Sequence, residues 1–228
     1  MIKAIVISLV EEFRQECRKN WYTKWVFLLV LLGSGGFGGW KAYSSYIKNK
    51  EQQAQVAFSH ALDEYHHLVQ ATDAQDNRWD DLIASFRAVN HKFPNTVYGN
   101  FADVFIADIT LRKGSVEESV MLFEQWIAKN SDKNPLYYMY KTRLALLYCD
   151  TAKKQEGISL LQELANAEKN KQRDTAQFFL GYYYWTADDV AQARQIWQVL
   201  IDAQQAQPAE GKSPWAAIAE SKLRYIAS

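Results

Sequence analysis

From Gln52 to the C-terminus, apolar residues recur at spacings of three and four with hardly a break, the pattern of amphipathic helices packed on one another. Val56, Ala57, Ala61, Tyr65 and Leu68 form one such stripe, followed by a polar turn at 72–77. A second helix over Trp79–Lys92 ends at Phe93-Pro94, because proline cannot continue it. Three helix-turn-helix units come next, and a closing helix starts after Pro214. Upstream the pattern changes twice. Trp25 to Trp40 carries no charge, while Ile2, Ile5, Val6, Leu9, Phe13 and Cys17 line one face of a helix with Lys3, Glu11, Glu12, Arg14 and Arg18 opposite.

The three units superimpose. Small residues in the first helix recur at Ala107, Ala145 and Gly181, and in the second at Ser119, Gly157 and Ala193, each set spaced 38 and then 36 apart. Four residues beyond the second set stand Phe123, Leu161 and Trp197, and Ala219 lies 38 beyond Gly181. The turns are Lys113-Gly114-Ser115, Ala152-Lys153-Lys154 and Asp188-Asp189. Small residues that let paired helices approach, with a bulky residue filling the groove, are the logic of tetratricopeptide (TPR) repeats of about 34 residues, here with slightly longer loops. The predicted fold is all-α: a single N-terminal transmembrane helix followed by a TPR-like α-solenoid of three to four helix-turn-helix repeats.

In this register the inner face is lined by the first helix of each unit. The first contributes Phe101, Val104 and Asp108, the second Met139, Thr142 and Leu146, the third Phe178, Tyr182 and Trp185. This face is largely apolar and aromatic, and it lacks a repeated Lys/Asn/Arg set for a peptide's terminal carboxylate. It suits an apolar peptide or a partner helix. For any one of these side chains, plain inter-repeat core is the competing role.

Charge changes the picture at the N-terminus. The 228 residues hold 26 bases and 26 acids, and a net charge of zero argues against nucleic acid as a partner. That zero divides into +5 over residues 1–50 and −5 over the rest. Basic residues flank the uncharged stretch, with Trp21, Tyr22 and Trp25 on one side and Trp40, Tyr43 and Tyr46 on the other, the distribution of a membrane anchor with interfacial aromatics. Sixteen helical residues rise about 24 Å, and the flanking aromatics extend the effective span towards the thickness of a bilayer. The expected segments are an amphipathic helix at 1–20 lying on membrane lipid, a transmembrane helix at 21–46 and an exported repeat domain at 47–228. Four bases before the span against three after it favour a cytoplasmic N-terminus.

Other readings compete for the glycines of this span. Gly33 to Gly38 spells GxGxxG, but no βαβ unit surrounds it to bind a dinucleotide. Val26–Leu32 with Ser34–Gly36 resembles a cleavable signal, against which stand a long N-region with three glutamates and helical sequence continuing past the glycines. Gly35 and Gly39 form GxxxG, either a helix-packing face or simply small residues in an apolar helix.

Catalytic chemistry finds little foothold. His60, Glu64 and His67 share one helical face, yet three ligands on one exposed helix make a poor metal site, and a solvated face is the simpler reading. There is no HExxH, no phosphate-binding loop and no nucleophile elbow. Cys17 and Cys149 fall on opposite sides of the predicted span, and Cys149 reads as core. No enzyme and no cofactor are expected.

Four short stretches carry a family resemblance: Gly39-Trp40-Lys41 with Tyr43 at the membrane exit, Asn95 to Gly99 before the first full repeat, Ala193-Arg194 with Trp197, and Lys222-Leu223 near the end. In order and spacing, over nearly the whole chain, they resemble the YfgM-type family, an ancillary subunit of the bacterial SecYEG translocon. The resemblance implies a single-pass inner-membrane protein with a cytoplasmic N-terminus and a periplasmic repeat domain. It also implies association with the SecYEG translocon and with a membrane-anchored periplasmic chaperone of the prolyl-isomerase type. The chain departs from the family in a more apolar N-terminal helix, an aromatic third repeat at Tyr182–Trp185 and a long loop at 204–213. A scaffold for another envelope complex, such as a division or secretion apparatus, is the alternative function.

Overall fold

A computed structural model describes residues 11, 21–71, 76–205 and 213–227. These form α1 (Trp21–Gln70), α2 (Asp76–Lys92), α3 (Val97–Arg112), α4 (Val116–Lys129), α5 (Tyr137–Cys149), α6 (Lys154–Asn166), α7 (Arg173–Thr186), α8 (Val190–Gln205) and α9 (Pro214–Ala227). The described residues contain no strand, and the all-α class holds. The chain divides into two compact units, residues 1–56 and 57–228, and α1 contributes to both.

In the first unit the expected helix at 1–20, apart from Glu11, lies outside the described residues, as do most side chains between 21 and 35. Among the described residues no helix is long and apolar enough to cross a membrane. Trp40, Tyr43, Tyr46 and Ile47 are exposed large side chains. The GxxxG residue Gly39 has open space where a Cβ would stand, and the surroundings of its partner Gly35 lie outside the described residues.

The second unit is built by sequential pairing: α3 packs on α4, α5 on α6, α7 on α8, and each pair on the next. The small positions do what their spacing predicted. Ser119, completely buried, donates a 2.7 Å hydrogen bond to the carbonyl of Ala107. A Cβ on Gly157 would stand 2.6 Å from the backbone N and the Sγ of Cys149 and 2.7 Å from the Ala145 carbonyl oxygen. A Cβ on Gly181 would meet the Trp197 indole nitrogen at 2.4 Å. Phe123, Leu161 and Trp197, four residues on, are fully buried. Close backbone approach at one level and a large apolar side chain at the next therefore recur pair by pair, giving one continuous series of cores. Three full pairs follow α2, and α9 closes the series against α7 and α8 through the buried Ala216 and Ala219.

Turn chemistry fixes the hairpins. Gly114 sits at φ 85°, with Gly114 N–H donating to Leu111 O and Ser115 N–H to Thr110 O. Asp188, at φ 65°, repeats this arrangement after α7, where its own N–H donates to Trp185 O and that of Asp189 to Tyr184 O. These are Schellman closures, which satisfy the last carbonyls of a helix through a left-handed residue. Between pairs, asparagines do the corresponding work. The Asn134 and Asn170 side chains, 36 apart, accept from the backbone N–H of Leu136 and Gln172 at 3.0 and 2.9 Å. Asn170 is buried and donates to Leu164 O at 2.9 Å, which anchors the entry to α7.

Candidate functional site

The inner face of the repeat unit carries a cavity of about 340 Å³ between α3, α5 and the start of α7. Its size lies at the low end for small-ligand pockets. Val104 and Leu146 line it with Met139, and Gln172 and Thr175 close the α7 side. Phe105, Tyr140, Asp108 and Arg143 supply an aromatic and charged wall. The helical register explains the grouping. Val104 and Asp108 stand four apart on α3, and Met139, Arg143 and Leu146 fall at i, i+4 and i+7 on α5, so each set shares a face.

Asp108 is the centre of the charged wall. It accepts from Tyr65 Oη at 2.6 Å and from Arg112 Nε at 3.2 Å, and it forms an ion pair with Arg143. Arg112 Nε also donates to Tyr65 Oη at 3.1 Å. Burial works against the Arg112 charge, but the hydrogen bonds to Asp108 and Tyr65 outweigh it and push its pKa up. The Tyr65 hydroxyl is pushed up as well, first by burial and then by its bond to Asp108. Tyr140 is held neutral, its pKa raised to about 12 chiefly by burial and next by the Asp108 charge. The Arg143 guanidinium lies 5.9 Å from the centre of the Phe123 ring, and its buried Nε meets no acceptor among the described residues.

The structure sorts the nine residues predicted for the inner face. Val104, Met139 and Leu146 line the cavity together with Asp108 and Thr142. Thr142 is buried, its hydroxyl donating to Tyr138 O at 2.8 Å, so it is wall rather than contact surface. Val104 is 2% exposed, packed in a cluster with Phe123, Trp126 and Leu144, and offers little more than floor. Phe178 is core outright, stacked on Trp215 at 4.7 Å and on Trp197 at 6.1 Å. Tyr182 and Trp185 are half-buried in the same terminal cluster, with Lys222 of α9 4.5 Å above the Trp185 ring. Phe101 is half-buried beside Tyr98 and does not reach the cavity. The third-repeat part of the predicted groove is thus occupied by α9. A closing helix satisfies the apolar face that another repeat would have covered.

Sequence reading missed Arg143, Tyr140 and Tyr65. Arg143 is marked by its spacing, since it stands four residues after Met139 on the same face, although its charge sets it apart from the apolar pattern of that face. Tyr65 carried no such signal, because it reaches Asp108 from α1, 43 residues away. His60 and Glu64 line a separate hollow of about 310 Å³ with Ser85 and Lys92. Among the described residues no three metal-ligating side chains come together there or elsewhere.

A series of antiparallel helix pairs with small-residue contacts and a lined inner face defines a helical repeat protein, a class whose concave surfaces take protein partners. Within that class, the chain belongs to the tetratricopeptide repeat-like domain family, which it matches over residues 19–227. No curated protein matches the chain. Among solved structures it is similar to a tetratricopeptide repeat protein from Parabacteroides merdae, with 13% identity and a TM-score of 0.52 over 75% of this chain and 60% of that one. It is also similar to the TPR-like repeats of a kinesin light chain described as putative from Podosopora anserina, with 15% identity and a TM-score of 0.47 over 77% of this chain and 82% of that one.

Proposed function

We propose that the chain is a non-enzymatic, membrane-tethered protein–protein interaction module. It is an accessory subunit of the SecYEG translocon, linking it to a membrane-anchored periplasmic prolyl-isomerase-type chaperone or to emerging polypeptides. The observation that carries the reading is the lined cavity on the inner face of a TPR-like repeat domain. Support for the tether comes from the uncharged stretch Trp25–Trp40, the exposed Trp40, Tyr43 and Tyr46, and the neighbouring Lys41, Lys48 and Lys50. On this reading residues 21–46 span the bacterial inner membrane, the N-terminus is cytoplasmic and the repeat domain is periplasmic. Tethering raises the effective concentration of the groove beside the translocon, so modest intrinsic affinity suffices.

A photocrosslinking residue placed at Met139 in cells, with mass spectrometry of the adducts, tests the proposal. Adducts with translocon subunits, the chaperone or nascent chains support it, as does co-purification of the chain with SecYEG in mild detergent. Adducts confined to components of a division or secretion apparatus would replace it with the envelope-scaffold reading.

A further inference from the structure

The cavity wall is chemically lopsided. Two guanidinium groups, Arg143 in the cavity wall and Arg112 one helical turn beyond Asp108 and outside the lining, converge on one carboxylate, Asp108, whose remaining hydrogen-bond partner is the neutral Tyr65 hydroxyl. The cluster therefore bears one uncompensated positive charge. Arg112 engages through Nε and Arg143 through one terminal nitrogen, and their other N–H groups have no hydrogen-bond partner among the described residues. Both side chains are close to half exposed, 45% and 43%, whereas Asp108 is 17% exposed and enclosed by its donors. Solvent thus meets the cationic side of the cluster, while directly beside it the cavity offers Val104, Met139 and Leu146. Arginine is suited to this arrangement, because its planar fork can hold one carboxylate and present its other donors to a second.

We propose that this cavity recognises an apolar side chain of a partner polypeptide that has an Asp or Glu next to it, the apolar group filling the space between α3 and α5 and the carboxylate settling on Arg112 and Arg143. The proposal rests on the reading of the inner face as a protein-binding groove and adds what the groove selects. It differs from capture of a chain terminus, since a side-chain carboxylate within a segment is enough. The charge sets the sign of the selection: a basic neighbour meets like charge and a neutral one gains nothing.

The test uses the full chain in detergent micelles and fluorescence anisotropy with labelled, C-terminally amidated Ser/Gly peptides bearing a central Leu-Asp-Leu, Leu-Asn-Leu, Leu-Lys-Leu or Ser-Asp-Ser. Leu-Asp-Leu is expected to bind about tenfold more tightly than Leu-Lys-Leu at low salt, with the gap narrowing as ionic strength rises. Arg112→Gln should shrink that gap. Leu146→Trp, which fills the cavity, should abolish binding of all the Leu peptides, with Met139→Trp as a second filling variant and circular dichroism confirming that each folds. Equal binding of the acidic and basic peptides, or unchanged binding after both cavity fillings, overturns the proposal. If no peptide binds while Met139 still gives translocon adducts in cells, the selectivity claim falls and the interaction reading stands.

Discussion

Gly157 stands where a side chain has nowhere to go. The atoms nearest an added Cβ include the Cys149 backbone nitrogen and the Ala145 carbonyl oxygen, neither of which can rotate aside. Alanine is favoured over glycine in a helix interior by about 1 kcal/mol, yet overpacking typically costs about 1–3 kcal/mol, so the second effect wins. Gly157→Ala should lower the urea midpoint of the repeat unit, whereas Gly39→Ala, in open space, should leave it in place. Buried acids give the second residue-scale prediction. Cys149 is raised from 9.0 to about 12, first by burial and then by the Asp150 charge, and Tyr140 from 10.0 to about 12. Tyr148 and Tyr183 move the same way, through burial and through hydrogen bonds to Glu124 and Asp150. A folded pKa above the unfolded one stabilises the fold below the unfolded value, and the contribution is lost as pH rises through the folded value. Stability should therefore fall between about pH 9 and pH 12, with ionisation of Cys149, Tyr140, Tyr148 and Tyr183 and loss of helical circular dichroism rising together. Ionisation of Tyr140, Tyr148 or Tyr183 near pH 10 in a chain still fully helical would contradict this.

At the scale of elements, two of the three hairpins turn on a left-handed residue, one a glycine and one an aspartate. Asp188 holds a conformation that costs an L-residue about 1–2 kcal/mol, although Asp offsets part of this by local hydrogen bonding. Asp188→Gly is expected to stabilise the chain by about 0.5–1 kcal/mol, less than the relief of strain alone because glycine also gains entropy when unfolded. The side chain of the following Asp189 accepts from Gln192 N–H at 3.1 Å and belongs to the start of α8, so Asp189→Gly should destabilise instead. Thr96 caps α3 by accepting from Gly99 N–H at 3.0 Å, and Thr96→Ala should cost about 1 kcal/mol in a chemical melt. These elements also show what sequence could and could not reveal. The pairing of Ala107 with Ser119 and of Ala145 with Gly157 was visible in the 38- and 36-residue offsets, because a backbone approach leaves a size constraint at a fixed position. The cavity wall was only half visible. Arg143 had helical spacing to announce it, but Tyr65 arrives from another helix, and the meeting of two arginines on Asp108 is a tertiary event no local pattern encodes. That Phe178 is the one to take the core role was not legible for the same reason: nothing near it in sequence says that Trp215 will stack on its ring.

At the scale of the whole repeat unit, stability should be transmitted only between neighbours. Each pair packs on the next, and the buried clusters run in series: one around Phe123, Trp126 and Leu144, one around Leu161, Leu164 and Leu180, one around Trp197, Leu200 and Ala219. Such a series behaves as a sum of repeat and interface terms rather than as one indivisible core. Damage at the end should then stay at the end. Trp215 is the place to apply it, since its ring stacks on Phe178 and lies 5.0 Å from Phe179. Removing a large aromatic costs about 3–5 kcal/mol when it is fully buried, and half-burial brings Trp215→Ala to about 2–3 kcal/mol. Native-state hydrogen exchange reads where that loss falls. Amides of α7, α8 and α9 should lose protection by that amount, those of α5 and α6 by less, and those of α3 and α4 hardly at all. Uniform loss of protection from α3 to α9 would mean a single cooperative core, and the nearest-neighbour description would then be wrong. Under graded loss, α9 acts as a terminal cap whose loosening uncovers the aromatic face of Tyr182 and Trp185 while leaving the Asp108–Arg143 cavity intact.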